Sequence, residues 1–106
     1  MERIASIAMA MNAEVTIDGY VLDTLMRDLV GHDRRAGAYL IYLAVTAEGS
    51  GGRVARSHRQ LAEQTGLSKR AVQDAIQHLE SRGLLQIDRR ARTEAAVLTP
   101  LTPWRR

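Results

Sequence analysis

The chain has 106 residues, 45% apolar and 25% charged, a size and balance that fit one small globular domain and exclude wholesale disorder. It has no cysteine, which excludes disulfides, thiolate zinc sites and a cysteine nucleophile and suits a reducing cytoplasm. The net charge of +3 is unevenly spread: residues 1–52 hold four arginines against seven acids, whereas residues 53–106 hold eleven Lys/Arg against five acids, so a net −3 half precedes a net +6 half. Such a division suggests either one face built for a polyanion or a solvated basic surface.

Residues 1–16 are expected as an N-terminal arm, flexible or ordered by a partner. The short apolar run from Ile4 to Met11 has a faint look of a signal peptide, but only one Glu and one Arg precede it. The longest apolar stretch, 36–47, is twelve residues, short of the ~20 a bilayer needs, so no membrane span is expected. Asp18 can cap a helix to about Val30, with Val21, Leu22, Leu25, Met26 and Leu29 repeating at i, i+4 and i+8 and Gly31 ending it. Asp33 can cap a second helix, whose stripe Tyr39, Leu40, Leu43, Ala44 and Ala47 is widened by Tyr42 and Val45 into a central element. A glycine-rich loop follows, and residues 53–56 are extended at best.

Ser57 followed three residues later by Gln60 has the capping-box spacing. The helix it opens turns Leu61, Ala62 and Thr65 inward and stops at Gly66, where a left-handed turn is easiest without a β-carbon. Ser68 is a second N-cap, and after it Val72, Ala75, Ile76 and Leu79 form one helical face until Gly83. Residues 84–87 and 96–99 read as two strands of a hairpin joined by the polar stretch 89–94, with Pro100 and Pro103 closing it. Two short helices joined by Gly66-Leu67-Ser68 make a helix-turn-helix. At 100° per residue, the outer face of the second helix holds Arg70, Asp74, Gln77 and Ser81, flanked by Gln73 on one side and Ala71 and His78 on the other.

That face has the chemistry of a major-groove reader. Arg grips guanine, Gln adenine, and Asp accepts from cytosine, while Ser68 and the helix N-terminus can hold a phosphate. Asp74 can alternatively orient Arg70, one turn away. His32, His58 and His78 have no metal-ligand spacing and are expected on helix surfaces. No phosphate loop and no carboxylate pair stands out, so no metal, no cofactor and no catalytic residue is expected. With no Phe, three Tyr and one Trp, platforms for stacking single-stranded bases are few.

The sequence Ser57-His58-Arg59-Gln60-Leu61-Ala62-Glu63-Gln64-Thr65-Gly66-Leu67-Ser68-Lys69-Arg70-Ala71-Val72-Gln73, with Gly52-Arg53-Val54 before it and Leu79-Glu80-Ser81-Arg82-Gly83-Leu84-Leu85 after, resembles the bacterial winged helix-turn-helix superfamily. Small domains of phage and plasmid replication proteins and GntR-type and MarR-type regulators are the nearest in look. The resemblance implies a recognition helix at 69–82 in the major groove and a wing at 86–97 on the backbone or minor groove. It places Ser68, Lys69, Arg70 and Gln73 at DNA, and Arg89, Arg90 and Arg92 in the wing. Two departures stand out: the wing tip lacks the glycine pair of GntR-type wings, and Ala71 stands where Thr is common.

The expected fold is therefore mainly α with a small β-hairpin wing, a winged helix-turn-helix in a single domain over 17–99, with a tail at 100–106. The expected function is sequence-specific binding of double-stranded DNA by a cytoplasmic, nucleoid-associated, non-enzymatic regulator acting as a homodimer. Alternatives are a replication-initiation accessory protein and a protein–protein adaptor. The candidate DNA-contacting set is Ser57, Arg59, Ser68, Lys69, Arg70, Gln73, Asp74, Gln77, Arg89, Arg90 and Arg92. Tyr20, Leu25 and Leu29 are candidates for a dimer contact, with ordinary core packing as the competing role.

Overall fold

A four-residue apolar repeat is longer than the 3.6-residue α-helical period, and the first helix accommodates it by winding wide. In this computed structural model, which describes residues 14–49, 52–89 and 96–105, α1 covers residues 19–32 with π-type turns at Val21–Leu25 and Arg27–His32. The Met26 N–H reaches back five residues to the Val21 carbonyl, and Asp33 does the same to Asp28. Wide turns keep Val21, Leu25 and Leu29 in line, and all three are buried, whereas Leu22 and Met26, expected in the same apolar set, are exposed. Leu25 and Leu29 are thus core residues and not dimer contacts.

Asp18 caps α1 as expected: its carboxylate accepts from the Tyr20 N–H at 3.0 Å. Gly31 does not end the helix, which continues to His32. The left-handed residue that turns the chain is Arg34, at φ 56°, after which the Arg35 N–H returns to the Leu29 carbonyl at 2.7 Å. Helix α2, Ala36–Gly49, follows with the Arg35 carbonyl receiving its first N–H groups, so Asp33 is not its cap. The stripe expected on α2 is also rotated. Leu40 is exposed at 41%, whereas Ile41, Tyr42 and Val45 are fully buried. A helix apolar on nearly every side gives little phase information, and its neighbours on several sides decide which residues are enclosed.

Strand β1, Val54–Arg56, precedes α3 at His58–Thr65 and α4 at Lys69–Ser81; β2 and β3 are Leu85–Asp88 and Ala96–Pro100. The expected hairpin is present, but the sheet has three antiparallel strands in the order β1-β3-β2. Residues 54–56 become a strand because β3 offers them an open edge, pairing Val54 with Leu98. Leu98 is also paired with Ile87 on its other side and is fully buried.

The end of α4 explains why β2 starts where it does. Gly83, at φ 70°, donates to the Glu80 carbonyl, and Leu84 donates to Leu79, a left-handed cap that drops Leu84 and Leu85 into the core. Beyond β3 the chain folds back. The Tyr42 hydroxyl donates to the Leu101 carbonyl at 2.8 Å, and Trp104 stacks on Tyr20 with ring centroids 4.4 Å apart. The Trp104 indole N–H and Arg105 Nε both donate to one oxygen of Asp18, at 2.9 and 2.8 Å. No helix among the described residues is long and apolar enough to cross a membrane.

Candidate nucleic-acid interface

The two serines fix where the helices of the motif begin. Ser57 Oγ accepts from the Gln60 N–H at 3.0 Å while Gln60 Oε1 accepts from the Ser57 N–H at 2.9 Å, a reciprocal box that starts α3. Ser68 Oγ accepts from the Ala71 N–H at 3.0 Å and starts α4. Between them Gly66 sits at φ 84°. Thr65 Oγ1 donates to the Leu61 carbonyl and accepts from the Leu67 N–H, which ties the turn to the preceding helix. Leu67 packs against the core, close enough to α2 that a β-carbon on Gly37 would meet it at 3.6 Å.

This turn sends α4 across the core with one face committed. Val72, Ala75, Ile76 and Leu79 are buried, and Lys69, Arg70, Gln73, Asp74, Gln77 and Ser81 are exposed. The structure therefore brings Ser68, Lys69, Arg70, Gln73, Asp74 and Gln77 together on one outward surface of a capped helix. Arg70 Nε lies 3.6 Å from Asp74 Oδ1, the orienting arrangement weighed above; the pair is exposed and adds little stability.

Ser57 stands apart from that surface. Only 7% of it is exposed and its hydroxyl is committed to the cap, so its contribution is to place α3. Arg59, the second residue of α3, is exposed and lies 3.6 Å from Glu63. Arg89 leaves the sheet at the base of the wing and makes two 3.0 Å hydrogen bonds to the Glu80 carboxylate. That contact holds the Glu80 carboxyl below its ordinary range and ties the wing to the end of α4. Arg90 and Arg92 lie outside the described residues.

One cluster escaped the sequence. Asp33 accepts from His78 Nε2 at 2.8 Å, from Arg82 and from His32 Nδ1 at 3.0 Å. The bonds from His32 and His78 hold its carboxyl at about 2, well below the usual 3.8. His78, expected on the surface, is only 21% exposed, because the loop before α2 covers it. Asp33 and His78 are 45 residues apart, and no local spacing signals a contact of that range.

An N-capped helix with one face in the core and the other lined by Arg, Gln and Asp, backed by a small sheet, is a device for reaching into a groove. Residues 56–86 match the winged helix-turn-helix DNA-binding family. No curated protein and no solved structure matches the chain. In the terms of the winged helix, α3 and α4 correspond to the two helices of the motif, and β2 and β3 to the strands of the hairpin. The three-stranded sheet and four helices agree with that fold, and the matched segment supports duplex DNA as partner.

Proposed function

We propose that this protein is a sequence-specific duplex-DNA binder and a bacterial transcriptional regulator, non-catalytic, cytoplasmic and nucleoid-associated, and that it works as a homodimer. The observation that carries the reading is the division of α4. Its buried face anchors it to the core while Arg70, Gln73, Asp74 and Gln77 project from an N-capped start. Arg70 held beside Asp74 suits a guanine and a neighbouring cytosine, and Gln73 or Gln77 an adenine. Lys69, Ser68, Arg59 and the wing arginines supply phosphate contacts that position the helix.

A single domain of this size makes few base contacts, and two copies about 34 Å apart read a palindrome. The dimer reading is supported by the outer side of α1. There Leu22, Met26 and Val30 repeat every fourth residue at 50%, 38% and 40% exposure, flanking the stripe that enters the core. We take residues 17–99 as the winged unit, onto which Leu101, Trp104 and Arg105 fold back.

Selection of random duplex DNA by the purified protein at two salt concentrations tests the reading. An enriched palindrome is the expected result and gives the half-site spacing. Binding without enrichment, vanishing as salt rises, would leave a basic surface without a code. No binding at either salt would favour a protein–protein adaptor.

A further inference from the structure

The path of the chain between α1 and α2 brings two arginines of the acidic half to the edge of the reading surface. Asp33 is fastened to His78 and Arg82, in the C-terminal part of α4. Four residues later, Gly37 rests against Leu67 in the turn just before α4 begins. Residues 34–36 lie between these two contacts and so pass beside α4 on the flank that carries His78, which borders the outward face.

Arg34 and Arg35 belong to this stretch, and both are exposed. Neither has a carboxylate partner among the described residues, since the two carboxylates of that corner, Asp28 and Asp33, both lean on Arg82. Arg34 also holds a left-handed backbone, unfavourable for a residue with a β-carbon and a place where glycine would cost nothing. A strained, long, cationic side chain at that position is a reason to look for a ligand.

We propose that Arg34 and Arg35 are backbone-contacting residues that grip a phosphate of the same duplex beside the groove occupied by α4. The inference rests on the docking of α4 proposed above. It extends the protein's footprint to a segment lying outside residues 56–86 and inside the half of the chain whose net charge is negative. The phosphate contact is sequence-blind, fixing the angle of α4 in the groove.

The test measures affinity of the full chain for a selected site and for a random-sequence duplex across a series of KCl concentrations. Arg34→Gly and Arg35→Gln are compared with Arg70→Ala. Arg34→Gly removes the charge and relieves the backbone, so it is expected to unfold at a higher temperature while binding less well. A loss of binding with a gain in stability cannot come from misfolding. Each of the two variants is expected to weaken both duplexes alike, roughly three- to tenfold, and to reduce the log–log salt slope by about 0.9.

Wild-type affinity and slope in both variants, with Arg70→Ala still weakening the selected site, would overturn the phosphate contact and leave the recognition helix standing. No duplex binding by the wild-type chain would overturn both.

Discussion

At Arg70 the proposed chemistry and the observed geometry meet in one side chain. Its Nε sits beside Asp74, and 84% of its side chain is open to solvent. Arg70→Ala is expected to cost about 1–3 kcal/mol on a selected site and to relax preference at one base pair, with a smaller loss on random duplex. Equal losses on both, in a competition titration, would make Arg70 a phosphate contact. This pair and the two serine caps were legible because they are local: three or four residues of helix determine them. Ser57 shows the limit of such legibility. Its type fits both a cap and a phosphate ligand, and only its burial shows that the cap has used the hydroxyl. Asp33 reads locally as a cap for a related reason, since His78 in α4 and Arg82 just past its end, the partners that hold it, are remote in sequence.

Among the elements, α3 and α4 were readable almost residue for residue. Each carries a serine at its start, a glycine past its end and a clean apolar face between. Helix α1 shows where such signals mislead. Gly31 lies within it, with nothing within 4 Å of an added β-carbon and no left-handed backbone, whereas Gly66 has the same space around it but φ 84°. The two glycines should therefore respond oppositely to one methyl group. Gly31→Ala is expected to stabilise by about 0.5–1 kcal/mol by restricting the unfolded chain and favouring helix. Gly66→Ala is expected to destabilise by about 1–2 kcal/mol, because alanine must adopt the left-handed turn. Thermal unfolding of both variants checks the contrast, and a shift of the same sign in both would show that one of these backbones has been misjudged. β1 has no clear signature in the sequence, because a three-residue strand exists only by virtue of the edge β3 presents to it.

Across the whole molecule, two carboxylates tie distant parts of the chain together. Asp18 joins the start of α1 to Trp104 and Arg105, and Asp33 joins the α1–α2 loop to α4. The hydrogen bond from Trp104 above all holds Asp18 at about 2, and those from His32 and His78 do the same for Asp33, against an ordinary 3.8. Carboxylates with lowered folded pKa values bind fewer protons than in the unfolded chain, so their contribution is fully present above the ordinary value. It is lost as pH falls from about 4 towards 2. Denaturant unfolding between pH 7 and pH 2 should show the midpoint falling through that window, and Asp18→Asn or Asp33→Asn should flatten part of the fall. A midpoint insensitive to acid below pH 4 would contradict both assignments.

The stacking of Trp104 on Tyr20 gives the molecule an optical gauge of its own. The chain has one tryptophan, and folding fixes its indole against an aromatic ring and a carboxylate 86 residues away. Its emission thus comes from a single, defined environment that exists only when the two ends of the described chain are together. Excitation at the red edge of the indole band therefore follows closure of the whole fold without a label. Because Asp18 accepts a hydrogen bond from the indole N–H, the same signal registers the protonation of that carboxylate as acid is added.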